Sequence, residues 1–185
     1  MSKYKSSFQF LALHCLKQSG SGGDSTLIDG FKVAQQLKQQ DPTSYDLLAN
    51  YRVAYRDAGT DIRYGDFDTR YERPVIGEKD GEIYNIGYSN WSRDYQKNGS
   101  AEEIQKFYKS YHKFSSLLND PKYLLTYKLK PGEMFVVNNR RMLHGRTAFG
   151  MGKRIERHLH GCFLDLDGML GYMRPVKKRL DDANL

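Results

Sequence analysis

The sequence predicts a mainly β fold with flanking helices, a jelly-roll barrel carrying a few helices on its outside. Three observations lead there. Short runs of bulky residues with strand-like alternation outnumber the helical runs. Gly- and Pro-containing turns separate them, as in Ser19-Gly20-Ser21-Gly22-Gly23 and Pro131-Gly132. No repeat, low-complexity tract or linker interrupts the 185 residues, so the chain reads as one unit, residues 1–185, with room for a sizeable core.

Taken in order, Phe8 to Leu16 alternates like a half-buried strand, the Ser/Gly run forms a flexible turn, and Ser25 to Ile28 makes a short strand. Phe31, Ala34 and Leu37 share one helical face. Asp41-Pro42 then supplies the cap and first-turn residue of a short helix with Tyr45, Leu47 and Leu48, and both helices read as a surface insertion between strands. Glu82 to Tyr88 is a further strand. Ser100-Ala101-Glu102-Glu103 has the form of a capping box, opening a helix that turns Ile104, Phe107, Tyr111, Phe114 and Leu118 inward. Leu124 to Leu129 and Met134 to Val137, joined by Pro131-Gly132, read as a hairpin. A last strand runs from about Ile155 to Leu164, and a basic helix closes the chain.

Composition narrows the function. No apolar run approaches a membrane span, and Met1 to Ser7 lacks the apolar stretch of a secretory signal, so the expectation is a cytoplasmic protein with no membrane partner, a mitochondrial one being the alternative. Cys15 and Cys162 sit in apolar runs, which suits buried reduced thiols. Basic residues exceed acidic ones, 29 against 22, and the pI is about 9.3, so an anionic partner is to be weighed. The basic residues are scattered, with clusters only at Arg140-Arg141-Arg146 and from Arg174 to Arg179, and no aromatic interleaving marks a nucleic-acid module. The expectation is no nucleic-acid partner. No serine occupies a Gly-x-Ser-x-Gly elbow, and Gly20 to Gly23 lacks the Gly-Lys-Ser/Thr ending of a phosphate cradle.

The informative stretch is Asn139 to Arg146 followed by Arg157, which sets a metal-competent imidazole, His144, thirteen residues before an arginine suited to a planar carboxylate. Of the other histidines, His14 reads as a hydrogen-bonded core or rim residue and His112 as solvent-facing on a charged helix. His158 and His160 share a strand face and read as a solvent-facing edge, although their spacing also fits part of a metal site. His144 beside Gly145, at a hairpin end, is the candidate ligand. Fourteen tyrosines could supply a cage for a quaternary ammonium, though ordinary packing accounts for most of them.

Four segments carry a family resemblance: Phe8 to Leu16; Gly22-Gly23-Asp24-Ser25 with Asp29-Gly30-Phe31; Leu143-His144-Gly145-Arg146; and Arg157-His158-Leu159-His160-Gly161. In order and spacing the chain resembles the gamma-butyrobetaine dioxygenase family, iron(II)- and 2-oxoglutarate-dependent hydroxylases of the taurine-dioxygenase-like group. The resemblance implies a double-stranded β-helix, here incomplete at the N-terminal side, as the C-terminal portion of a catalytic domain. It implies hydroxylation of gamma-butyrobetaine to L-carnitine with Fe(II), 2-oxoglutarate and ascorbate as reductant, on a small trimethylammonium substrate, with a homodimer as the oligomer to test. His144 resembles the distal histidine of the iron triad, catalytic and metal-binding. Arg157 resembles the arginine that pairs with the distal carboxylate of 2-oxoglutarate, and Ser25 a hydroxyl offered to the same cosubstrate. Asn90 resembles a family asparagine near the substrate, and Phe163 stands where a cage tyrosine is common.

Two departures stand beside these matches. The family's His-x-Asp, which provides the other two iron ligands, occurs nowhere in this sequence, and Arg140 stands where the family usually has Trp. The expectation is therefore that this chain turns over poorly by itself. The alternatives are trimethyllysine dioxygenase chemistry, a catalytically inactive truncated binding protein, and a basic nucleic-acid-associated protein.

Overall fold

The computed structural model describes residues 10–62, 65–97, 99–149 and 157–183. Among them the chain runs β1 (Phe10–Lys17), β2 (Ser25–Asp29), α1 (Gly30–Gln40), α2 (Pro42–Asn50), β3 (Val53–Asp61), β4 (Gly65–Arg73), β5 (Ile76–Lys79), β6 (Glu82–Ile86), α3 (Ala101–Leu118), β7 (Leu124–Tyr127), β8 (Met134–Asn138), β9 (Met142–Arg146), β10 (His158–Leu164) and α4 (Leu166–Asp182). The mainly β expectation with flanking helices holds. Contacts divide the chain into two compact units, residues 1–27 with 126–185, and residues 28–125.

In the first unit β1 is the centre of a three-stranded antiparallel sheet ordered β10-β1-β8. Leu11 lies opposite both Phe163 and Val137, and His14 opposite both His160 and Met134. Since successive side chains alternate, Leu11, Leu13 and Cys15 share a face with Phe163, while Ala12 and His14 share the other with Cys162 and His160. A second sheet has the order β7-β2-β9.

The expected hairpin between Leu124–Leu129 and Met134–Val137 does not form, because β7 and β8 belong to different sheets. The Pro131-Gly132 turn docks on β1 instead: Gly132 N–H donates to the Cys15 carbonyl at 2.8 Å, and Cys15 N–H donates to the Glu133 carbonyl at 2.9 Å. Pairing with a strand more than a hundred residues away satisfies the turn's backbone and overrides the local signal. Of the two thiols expected to be buried, Cys15 is buried and Cys162 is exposed, since it lies on an open sheet face. α4 closes the chain as expected, with Asp165 accepting from Gly168 N–H as its N-cap.

The second unit is built around its helices. Asp29 caps α1 by accepting from Phe31 and Lys32 N–H, and Asp41 caps α2 by accepting from Ser44 N–H. Ser100 and Glu103 form the expected reciprocal capping box, at 3.2 and 2.6 Å. Phe107, Ser110, Tyr111, Phe114 and Leu118 are the buried stripe of α3, and Ile104 is only half-buried. The reading of α1 and α2 as a surface insertion fails. Val33, Ala34, Leu37, Tyr45 and Leu48 are all buried, and each such side chain removed from water stabilises by roughly 1.5–3 kcal/mol for the larger ones. The β3–β4 ribbon, paired in register from Val53–Arg73 to Asp61–Gly65, has no counterpart in the sequence reading.

Candidate functional site

The glycine pair Gly22-Gly23 positions the chemistry of the first unit. Gly22 forms an antiparallel bridge with Phe149, and Gly23 N–H donates to the Ala148 carbonyl at 3.1 Å. One residue on, Thr147 N–H donates to the Asp24 carbonyl at 2.9 Å and Asp24 N–H to Thr147 Oγ1 at 3.0 Å. Both glycines have left-handed φ, +64° and +71°, and a Cβ at Gly22 would collide with the Ala148 carbonyl. At Gly23 the missing Cβ leaves room for Arg157, whose Nε would lie 3.0 Å from it. Ser19 Oγ donates to the Gly22 carbonyl at 2.9 Å, which ties down the turn read as flexible.

β9 neighbours β2 in the second sheet, and a Cβ on Gly145 would lie 3.0 Å from Thr26 Oγ1. By alternation His144 and Arg146 share one face of β9, and Arg157 lies against Gly23. Arg157 thus packs two residues before the buried Ser25, and His144 lies on the strand that neighbours β2. His144 is the middle residue of β9, whereas the sequence put it at a hairpin end, because the β8–β9 turn closes earlier, with Arg141 N–H donating to the Asn138 carbonyl.

Arg157 is half-buried and its Nε is fully buried without a hydrogen-bond partner among the described residues. A buried, unpaired guanidinium N–H is costly unless something accepts from it. Its Cζ lies 5.7 Å from the Phe149 ring centroid, and its charge is felt at the Cys15 thiol, where burial outweighs it and raises the thiol pKa. His144 keeps an exposed edge, yet the desolvation around it pushes its pKa below the ordinary histidine value. That favours the neutral imidazole, the form that ligates metals. Ser25 is buried at the head of β2. Phe163 is exposed on β10, on the face of Leu11.

Asn90 belongs to the second unit and is held there by aromatic neighbours. Its Oδ1 accepts from the Tyr111 hydroxyl at 2.9 Å and from Arg93 Nη1 at 2.8 Å, which leaves its amide NH2 to donate elsewhere. Tyr111 stacks on Tyr88 with centroids 5.0 Å apart and carries the Arg93 guanidinium 4.4 Å above its ring. Burial raises the Tyr111 pKa, so its hydroxyl stays a donor. Nothing in the sequence pointed to Tyr111 and Arg93 as the holders of Asn90. A surface cleft of about 330 Å³ in the same unit, lined by Arg56, Asp57, Trp91 and Arg93 among others, does not include Asn90.

Among the remaining histidines, His112 is exposed as expected, and so are His158 and His160. His14 is half-buried, and against expectation its side chain has no hydrogen-bond partner among the described residues. Among the described residues no group of three or more His, Cys, Asp or Glu side chains stands together in a way that could hold a metal ion. No helix among them is long and apolar enough to cross a membrane.

A family model described as "Taurine catabolism dioxygenase TauD, TfdA family" matches residues 4–163. The chain is 35% identical over 173 residues to human gamma-butyrobetaine dioxygenase, covering 93% of this chain and 44% of that protein. It is 34% identical to the enzyme of the same name from Pseudomonas sp. strain AK-1, covering 85% of this chain and 40% of the relative. Rat mitochondrial trimethyllysine dioxygenase is 31% identical, with 87% and 38% covered. The chain thus spans less than half the length of these curated relatives. Among solved structures, an asparagine oxygenase complexed with Fe(II), 3-hydroxyasparagine and succinate superposes with a TM-score of 0.59 at 18% identity, covering 88% of this chain and 47% of that one. PvcB, an Fe, alpha-ketoglutarate-dependent oxygenase, gives 0.58 at 18%, covering 90% and 55%. These likenesses show a double-stranded β-helix fold.

Proposed function

The chain belongs to the TauD/TfdA dioxygenase family, and on that premise we propose that it carries the keto-acid-binding and distal-histidine part of an iron(II)- and 2-oxoglutarate-dependent hydroxylase acting on gamma-butyrobetaine. The observation that carries the reading is the buried, unpartnered Nε of Arg157, lodged against Gly23 two residues before Ser25. A guanidinium fork suits the distal carboxylate of 2-oxoglutarate, and the Ser25 hydroxyl is an added donor to the same acid. Among the trimethylammonium enzymes matched, the butyrobetaine branch is favoured by its 35% identity over 93% of the chain, against 31% over 87% for the rat trimethyllysine enzyme. In this reading the Phe163 ring is assigned to the substrate's trimethylammonium group, and Asn90 keeps only the substrate role that the family resemblance implies.

Iron is a different matter. A resident iron supplies oxygen activation in such chemistry, and a 2-His-1-carboxylate set holds it. Here His144 is the single imidazole of that kind, with no His-x-Asp in the sequence and no three-donor group among the described residues. The residues present fit the keto acid and do not fit the metal, so no step is assigned through it, and the second reading, a catalytically inactive 2-oxoglutarate binder, rests on that same donor set.

Calorimetric titration with 2-oxoglutarate tests the first part. The chain should bind it, and Arg157→Gln should weaken binding by about tenfold or more, the worth of a charge-assisted hydrogen bond pair. Equal affinity in the variant would sink the keto-acid assignment. Succinate release with Fe(II), ascorbate and gamma-butyrobetaine decides the second part, and product analysis with trimethyllysine separates the two substrate branches.

A further inference from the structure

The basic cluster at Arg140, Arg141 and Arg146 is not used by the reading above, and Arg146 stands out within it. Its Cζ lies 4.6 Å from the centroid of Phe149, the ring over which Arg157 also lies, at 5.7 Å. Two guanidiniums thus share one aromatic ring, and neither has a carboxylate partner among the described residues. The repulsion between them is relieved only in part by the ring's negative faces. An anion placed near both would relieve the rest.

Arg146 ends β9 two residues after His144, so by alternation the two share a face of that strand, about 6.5–7 Å apart. Arg157 packs against Gly23, and Phe149 is bridged to Gly22, so the ring that both cations share sits beside the glycine turn. Phe149, bridged to Gly22, is the fixed platform that aims both cations.

We propose that Arg146, aimed by Phe149, is a second cationic contact for the acid that Arg157 binds, so that the pair of arginines selects a dicarboxylate over a monocarboxylate. This rests on the keto-acid reading but fails separately from it. The exposed Arg146 contributes less than the half-buried Arg157, because its field is screened by water.

The experiment is titration of the whole chain with 2-oxoglutarate and, separately, with 2-oxobutyrate, which lacks the distal carboxylate. Arg146→Gln should weaken 2-oxoglutarate binding about fivefold, leave 2-oxobutyrate binding unchanged, and flatten the dependence of 2-oxoglutarate affinity on salt. Arg146→Lys should keep the salt dependence. Phe149→Leu should weaken 2-oxoglutarate binding as Arg146→Gln does, with the thermal midpoint of each variant reporting whether the fold is intact. If Arg157→Gln loses binding and Arg146→Gln keeps the affinity and salt dependence of the parent, the proposal is overturned and the keto-acid reading stands. If Arg157→Gln binds like the parent, the keto-acid reading itself falls. Equal weakening of both acids in Arg146→Gln would also overturn it, by revealing a general structural role.

Discussion

The two compact units differ in how much apolar surface they bury. Residues 28–125 hold most of the fully buried apolar side chains, with Phe107, Phe114, Tyr45 and Tyr55 the largest, whereas residues 1–27 and 126–185 contribute only Leu11, Cys15 and Leu129 to that set among the described residues. The first unit, which carries His144, Ser25 and Arg157, leaves Met134 and Val136 more than half exposed on β8. The difference teaches that the first unit is held by backbone pairing and a glycine turn, while the helical unit is held by burial. Each has its own way of failing.

The largest expected effect tests the burial side. Phe107→Ala should cost about 3–5 kcal/mol, the usual loss for emptying a buried aromatic site, whereas Val136→Ala should stay within about 0.5 kcal/mol because the side chain is already wet. Urea denaturation followed by circular dichroism reads both. A Val136 penalty as large as that of Phe107 would break the contrast between the units.

Next comes the glycine turn. Gly23→Ala forces a side chain into left-handed backbone, at about 1–2 kcal/mol, and pushes on the Arg157 side chain. It should lower 2-oxoglutarate affinity more than it lowers stability, and the mirror substitution Gly81→Ala, at φ +81° with open space around it, should show the backbone cost alone. If both variants bind alike, the room left for Arg157 has no consequence.

The smallest effect separates the units by pH. Asp41 caps α2 and pairs with Lys113, whose hydrogen bond is the chief reason its pKa is held at about 2; its contribution is present above the ordinary carboxylate value near 4 and is lost as pH falls from there toward 2. His144 is the opposite type of group, with a pKa lowered by desolvation, so the folded chain binds fewer protons there than the unfolded one. Stability from this group is highest above about pH 6.5 and declines as pH falls below it. Thermal midpoints across pH 2–8 should therefore show a shallow loss near pH 6 that His144→Gln removes, and a later loss below pH 4 that Asp41→Asn reduces. A single acid transition unaffected by His144→Gln would contradict the second half.

Much of the helical unit is legible from local chemistry. Ser100 to Glu103 is a box of short-range hydrogen bonds, and the buried stripe of α3 follows from a 3.6-residue period, so neither needs distant partners. The β3–β4 ribbon was invisible for the complementary reason. From Arg56 to Asp61 and from Gly65 to Asp68 it is exposed on both faces, so it has no alternation of apolar and polar residues, and its order comes from cross-strand pairing and ion pairs such as Arg56–Asp68. Arg157 and His144 were singled out by residue type and spacing. That Phe149 carries both Arg146 and Arg157 was not, because a ring's neighbours depend on where two turns meet.

By itself the sequence determined the helices and their caps, the mainly β class and the family, since all of these rest on residue chemistry and short spacings. Tertiary structure alone decided that β7 and β8 part company, that α1 and α2 build a core, and that Gly22-Gly23 opens the space in which Arg157 keeps an unpaired buried N–H. Those outcomes depend on which backbone groups far apart in the chain find one another, and strand pairing is settled by the whole set of partners available to each strand.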